Sequence, residues 1–595
     1  MNRTEFDLLN QAYNASRGRA RITKDLNLNT SLEDNHAYSH LQEEGFLAAD
    51  GSLTQMGLKA LQPYKVDNAV ILAAGSASRF IPLSLEQPKA LYEVKGERLI
   101  ERQICQLLDA GISDITIVLG YKKDMFLYLM NKYPVKFVVN PFYNTRNNIE
   151  SLYVARKKLK NTYICVCDSY FTENPFNQYE YASFYAGYES FHKEDEMYAL
   201  CDDNDQILDM KKSLPEGNVL LGHSYWTENF SQKFIQLMKE DRVEGRYVQK
   251  FWEWLVKDNL RRLPPYYFKK YDRDMIHEFD CFEQLRQFDN RYVSFSHSEI
   301  IRNIKLVFRC DEEDVVDFRP VREGMTNTSF IFKIKGVDYI YRHPGDGTEN
   351  IINRRNEKHT LILVKRFGID PTYIYMDVNE GWKISRFIHH FREPDYRNFE
   401  DSKRVLSVLR RLHSIPVKVD YGMKPWNDAL NMEQMLRDKD RNCFAPYEVL
   451  KDKIGQLYHL TEMDDIQHCF CHGDTYKPNW MIRDDGTVIL IDWEYSGFSD
   501  PGIDVGYYIV DAMYDFDKAE EFIREYLQND ATPAHIFHFM AYTAIIAYYW
   551  FVWAMYRESC GTPMGEALDK WRTMAEKYSD YLTNGKFAGG QYGFR

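Results

Sequence analysis

Short apolar runs punctuate the first half of the chain: Asn68–Ala73, Ile115–Leu119, Lys136–Val139 and Tyr163–Val166. Between the first two, Leu99–Ala110 carries its apolar residues at helical spacing. Strands alternating with helices predict a parallel sheet in a Rossmann-like α/β layer fold over residues 65–298. From about residue 300 the pattern changes. Ser329–Lys335 and Val337–Arg342 alternate around Gly336 as a strand hairpin, and Asn353–Val364 reads as a helix. Thr372–Asp377 and Trp382–Phe387 continue as strands. Beyond Ile388 the pattern is mostly helical, broken by apolar strands that run into His472 and Asp492. Phe537–Tyr556 is long enough to cross a bilayer. It contains His538 and several tyrosines and is flanked by Arg557 and Glu558, so a buried helix is the more economical reading.

The first 64 residues form a third pattern. A helix (Glu5–Asn14) precedes a short helix and turn around Arg21–Asn29, an amphipathic helix (Ser31–Glu44), and a hairpin (Gly45–Thr54) with an Asp50-Gly51 turn. The chain has 595 residues, with 44% hydrophobic and 27% charged, an ordinary globular balance. Its net charge of −13 disfavours nonspecific binding to nucleic acid or anionic membrane. The N-terminus lacks an apolar segment, which predicts a cytoplasmic protein. The ten cysteines show no metal spacing; Cys165-Val-Cys167 and Cys469-Phe-Cys471 read as reduced residues of buried strands.

Chemistry enters with two motifs. The first is Leu72-Ala-Ala-Gly75-Ser-Ala-Ser-Arg79, followed by Pro88-Lys89. A strand running into Ala73-Ala74-Gly75 lets backbone N–H groups approach phosphate, and Arg79 and Lys89 are placed to neutralise triphosphate oxygens. With Asn148-Ile-Glu-Ser-Leu-Tyr, the acidic strand end at Asp168, and His277-Glu278-Phe-Asp280, this segment resembles the LicC-type CTP:phosphocholine cytidylyltransferases. The resemblance implies a CTP site at Ala73, Ala74, Gly75, Arg79, Lys89 and Asn148, with Asp168, Glu278 and Asp280 as Mg²⁺ ligands. Attack of a phosphomonoester on an α-phosphate brings anions together, which carboxylate-held Mg²⁺ and basic side chains relieve.

The second motif is His472-Gly-Asp474-Thr-Tyr-Lys-Pro-Asn479, then Asp492-Trp-Glu494. His-x-Asp-x₄-Asn followed by a strand-end Asp resembles the choline kinase and aminoglycoside phosphotransferase branch of the kinases, which implies a two-lobed fold (N-lobe about 299–384, C-lobe about 385–595). By that resemblance Asp474 accepts the substrate hydroxyl proton, Asn479 and Asp492 hold Mg²⁺, and His472 supports the loop. ATP contacts fall to Thr326, Asn327, Ser329, Arg342, Glu357, Arg386 and Ile388. Arg342 stands where most kinases have Lys, and the two are not interchangeable.

A kinase makes a phosphomonoester and a nucleotidyltransferase consumes one, so the pair implies consecutive steps. The stretch from Glu494 through Asp511 resembles the choline-kinase family, which assigns Asp511, Glu494 and the helical pair Trp550 and Trp553 to the choline ammonium. A quaternary ammonium donates no hydrogen bonds and is held by aromatic faces and a carboxylate. In the first domain Tyr225 with Trp226, or Trp252 with Trp254, are the cage candidates. The expected partners are choline, ATP, CTP and phosphocholine, with ethanolamine or another amino alcohol as the rival substrate. Residues 1–64 resemble winged helix-turn-helix modules, which raises a ligand-sensing transcription regulator as a rival of another class. The second amphipathic helix carries Glu33, Asp34, Glu43 and Glu44 with no Lys or Arg, which favours a docking or oligomerisation role over DNA binding.

Overall fold

The structure, a computed structural model, describes residues 1–18, 32–191, 196–321, 328–345, 353–440, 443–561 and 564–584. It divides into two compact units, Met1–Pro320 and Val321–Arg595.

In the first unit, Val135–Val139, Ile115–Leu119, Asn68–Ala73 and Thr162–Val166 lie side by side in parallel. Every residue of Asn68–Ala73 is buried, the signature of a central parallel strand covered on both faces. Beyond Thr162–Val166 the sheet turns antiparallel: Glu216–Trp226 pairs with it, and Phe184–Phe191 and Met197–Cys201 flank that strand. The sheet is therefore mixed, where the alternation of elements predicted parallel strands. Gly75 and Asp168 follow the carboxyl ends of two adjacent parallel strands, where open α/β sheets form their ligand crevice.

The N-terminal segment belongs to this unit. Helices Arg3–Ser16 and Leu32–Glu43 and a Leu47–Leu53 bridge match the predicted order, and Gly51 takes the left-handed conformation (φ +81°) that the turn needs. A further helix, Gln55–Leu61, follows; Thr54 caps it by accepting the Gly57 N–H. The expected helix and turn around Arg21–Asn29 lie outside the described residues. Phe6, Leu9, Tyr13, Leu41, Leu47 and Leu61 close over Tyr179 in one core, and Tyr64 stacks on Tyr181 at 5.5 Å. At the other end, Glu86 accepts the Ile300 N–H at 2.7 Å, which keeps Glu299–Phe308 with the first unit. This compact unit runs to Pro320.

In the second unit an antiparallel run orders Thr328–Ile334, Val337–His343, Lys383–Arg386 and Tyr373–Met376, with Gly336 (φ +78°) at the first turn. Helix Arg354–Arg366 follows that hairpin in the chain, capped by Asn353. The remainder is largely helical. The bilayer-length stretch lies in helix Pro533–Ser559, whose residues Ile536–Ala554 are all buried in the core of this unit.

Candidate active sites

The Gly75 turn is exposed, and the space a Cβ would fill there is open, as a phosphate cradle requires. Across the crevice the short strand Ile276–Glu278 pairs antiparallel with Ser169–Phe171, setting Glu278 opposite Ser169 and beside Asp168. Lys89, 8% exposed, donates to Asp168 Oδ2 at 2.8 Å and to the Phe279 carbonyl. Arg79 pairs with Asp280 at 3.2 Å. Burial, with Asp168 adding to it, pushes the Glu278 carboxyl well above the usual carboxylate range. Asp168 Oδ1 is buried without a partner. Crowded oxygen donors with an unsatisfied lone pair fit a hard divalent cation such as Mg²⁺.

Asn148 opens helix Asn148–Ala155, and its side-chain oxygen accepts the Trp252 N–H at 2.8 Å. Next to Trp252 stands Glu253, which sequence reasoning missed. The Tyr185 hydroxyl donates to its Oε1 at 3.0 Å, Oε2 has no partner, and burial pushes its carboxyl up to about 7. Tyr185 stacks on Trp252 at 5.3 Å, and its own hydroxyl is pushed up by burial and then by Glu253, Tyr266 and Glu278, which ties this corner to the acidic cluster. Tyr225, Trp226 and Trp252 are core residues at 1% exposure or less. A glutamate between two tryptophans gives no hint in sequence that its carboxylate oxygen is left without a partner.

In the second unit, His472 is fully buried. Its Nε2–H donates to the Ile491 carbonyl at 2.9 Å and its Nδ1 accepts the Asp474 N–H at 3.1 Å, while burial lowers its pKa. The neutral ring therefore braces the loop. The Asp504 carboxylate accepts the N–H groups of both His472 and Gly473 at 2.7 Å. Asn479 donates to the Asp474 carbonyl at 2.9 Å and to Asp474 Oδ2 at 3.1 Å. Burial, then Asp492 and Glu494, push the Asp474 carboxyl well above its ordinary value.

Arg342 binds Glu357, Asp492 at 2.9 Å and Glu494 at 3.4 Å. Lys383, also buried and unforeseen, donates to Glu357 at 3.2 Å and lies 3.8 Å from Asp492; Arg354 reaches Glu357 at 3.0 Å. Against the upward push of burial, these three cations hold Glu357 down at about 2. The carboxylates of Asp474 and Glu494 stay elevated, through burial and then the neighbouring charge of Asp492. Ser329 pairs opposite Arg342 in the hairpin, and Arg386 ends the strand before Ile388. Thr326 and Asn327 lie outside the described residues.

Glu494, expected at the choline ammonium, pairs with Arg342 at 3.4 Å, with Arg354 3.8 Å away. Asp511 accepts from Tyr396, from Lys570 at 2.7 Å and from the Lys477 N–H at 3.0 Å. It borders a cavity of about 550 Å³ with Tyr476, Met513, Lys570 and Trp571. Trp550 stacks on Tyr507 at 5.0 Å and contacts Tyr495, Trp553 and Trp571 at 5.7, 5.2 and 5.8 Å. Burial and then Asp474 and Asp511 raise the Tyr507 hydroxyl, so this aromatic group reaches the catalytic loop. Trp571, on helix Glu566–Asn584, carried no signal in the sequence.

Comparison with known proteins finds relatives for both parts of the chain. Residues 318–562 match the choline/ethanolamine kinase family, and residues 69–201 match the MobA-like NTP transferase domain. A choline-phosphate cytidylyltransferase of Streptococcus pneumoniae is 34% identical over 224 residues, 37% of this chain and 96% of the relative. A 2-aminoethylphosphonate cytidylyltransferase of Lancefieldella rimae is 33% identical over 231 residues, 38% of this chain and 93% of the relative. Protein LicA of Haemophilus influenzae is 24% identical over 255 residues, 41% of this chain and 74% of the relative. The chain belongs to the cytidylyltransferase family and joins to that domain a choline kinase domain, which makes it a bifunctional transferase.

Proposed function

We propose that this chain phosphorylates choline with ATP and then transfers CMP from CTP to the phosphocholine, giving CDP-choline and pyrophosphate. The observation that carries the reading is the presence of two complete acidic centres on one chain, Asp474 with Asn479 and Asp492, and Asp168 with Glu278. The product of the first reaction is the nucleophile of the second. Similarity to a choline-phosphate cytidylyltransferase along 96% of that relative supports the substrate.

In the kinase step Asp474 takes the hydroxyl proton of choline; its raised proton affinity suits it as a base, and Asn479 fixes its orientation. Arg342 and Lys383 neutralise ATP phosphate, while Ser329 and the strand end at Arg386 and Ile388 border the nucleotide. Tyr507 and Trp550 offer aromatic faces to the ammonium, with Trp571 and Asp511 beside them. In the nucleotidyl step the Gly75 turn, Arg79 and Lys89 receive the CTP triphosphate, and Glu253 with Tyr185 receives the ammonium of phosphocholine. Asp168, Glu278 and Asp280 in one site, and Asn479 and Asp492 in the other, would hold Mg²⁺, which would neutralise phosphate charge when bound. Residues 1–64 act as a winged-helix-like docking element for the first unit, supported by their shared core with Tyr179.

The test is to incubate the protein with choline, ATP, CTP and Mg²⁺ and follow products by mass. Phosphocholine and then CDP-choline should accumulate. Parallel reactions with ethanolamine and with 2-aminoethylphosphonate decide the head group; faster turnover of either would replace choline in this reading.

A further inference from the structure

Behind the kinase loop lies a side-chain cluster that the phosphoryl-transfer chemistry does not use. Cys469 and Cys471 sit two apart on a short strand, so both thiols project to the same face, with their sulfurs 3.6 Å apart. His413, the last residue of helix Phe399–His413, comes to meet them. One of its ring nitrogens and the two sulfurs all lie within 4.8 Å of one another. Cysteine spacing alone could not reveal this, because the third group arrives from a distant helix.

We propose that His413, Cys469 and Cys471 form a binding site for a thiophilic divalent cation, with Zn²⁺ the best fit. Thiolates at about 2.3 Å from a tetrahedral zinc stand about 3.8 Å apart, close to the separation the strand already imposes. Asp504 accepts from Nε2 at 3.0 Å and the Tyr526 hydroxyl bonds Nδ1 at 2.7 Å; ligation through Nδ1 would displace the tyrosine and keep the carboxylate behind the ring. A carboxylate behind a ligating histidine fixes its tautomer and strengthens it. Cys471 is buried and Cys469 half-buried, which leaves one edge for entry. Binding releases the thiol protons to solvent and requires no other reactant. Asp504 also holds the N–H groups of His472 and Gly473, so the metal would brace the catalytic loop from behind.

The test uses the full chain, purified without chelator and with any affinity tag removed. Elemental analysis should find close to one Zn²⁺ per chain. After chelation, added Co²⁺ should give a thiolate-to-metal charge-transfer band, lost in Cys469→Ser and Cys471→Ser and kept in Cys105→Ser. Should the serine variants melt early, alkylation of Cys469 in the unaltered protein, read by peptide mass, serves instead: Zn²⁺ should slow it at least tenfold. No charge-transfer band, a band that survives both substitutions, or alkylation indifferent to Zn²⁺ would overturn the site and identify the cluster as a plain thiol contact.

Discussion

The Tyr185 hydroxyl donates to Glu253 Oε1 at 3.0 Å, while Oε2 of the same carboxylate is buried without a partner. Burial raises the Glu253 pKa to about 7, so its negative charge is present above that pH and is lost below it. The KM for phosphocholine in the CTP-dependent step should therefore rise as pH falls through about 7. Glu253→Gln should raise it about tenfold at pH 8, equivalent to about 1.4 kcal/mol, and flatten the pH profile. A variant that keeps the full pH dependence of KM would remove Glu253 from the ammonium site.

The two acidic centres lie in separate compact units. Asp474→Ala should abolish choline phosphorylation and leave the use of supplied phosphocholine and CTP nearly intact. Asp168→Ala should do the converse. Loss of both half-reactions in either folded variant would show that the sites are not independent.

Removing one aromatic face costs an ammonium site roughly 0.5–2 kcal/mol. Trp571 lines the cavity beside Asp511, and Trp550 stacks on Tyr507. Trp571→Ala and Trp550→Ala should each raise the KM for choline several-fold with little change for ATP. Trp553, as buried as the other two and in contact with both, belongs to the same group, and Trp553→Ala should act likewise. Equal losses for choline and ATP would mean that these rings only pack the lobe.

Residues Phe6, Leu9, Tyr13 and Leu61 share their core with Tyr179. Deleting residues 1–64 should expose Tyr179 and Tyr181, lower the melting temperature of the cytidylyltransferase unit by several degrees and spare choline phosphorylation. Phosphate contacts dominate DNA affinity and need Lys or Arg on the inserted element. Helix Leu32–Glu43 has none, so duplex DNA at physiological salt should remain unshifted. A salt-sensitive shift at sub-micromolar protein would revive the regulator reading.

Where the sequence was legible, local patterns were strong. The run Asn68–Ala73 became the buried central strand over the same residues, and Gly336 became the hairpin turn. Both motifs deliver their carboxylates because strand ends and tight loops fix those positions locally. What stayed hidden depends on chain segments that meet only after folding. Lys383 reaches from its strand to Glu357 on helix Arg354–Arg366, Trp571 arrives from helix Glu566–Asn584, and Glu253 acquires its character from burial beside Tyr185. Glu494, two residues beyond Asp492, pairs with Arg342, and the Asp492 φ of +69° lies in the left-handed region. Position in a motif gives no warning of such a turn. The four strands named from the sequence do lie parallel; the antiparallel part of the sheet is built from Phe184–Phe191, Met197–Cys201 and Glu216–Trp226, which the pattern did not single out.

The Asp504 carboxylate, buried at the start of helix Gly502–Ala512, takes the N–H groups of His472 and Gly473 together. Fixing a residue's backbone costs about 1–2 kcal/mol of conformational entropy. Here that cost is met when the helical lobe condenses, before any substrate arrives. Choline and ATP thus encounter a loop already immobile, and none of their binding energy is spent on ordering it. A fluctuation that released the loop would have to pull Asp504 from the core, so catalytic competence should persist until the lobe itself unravels.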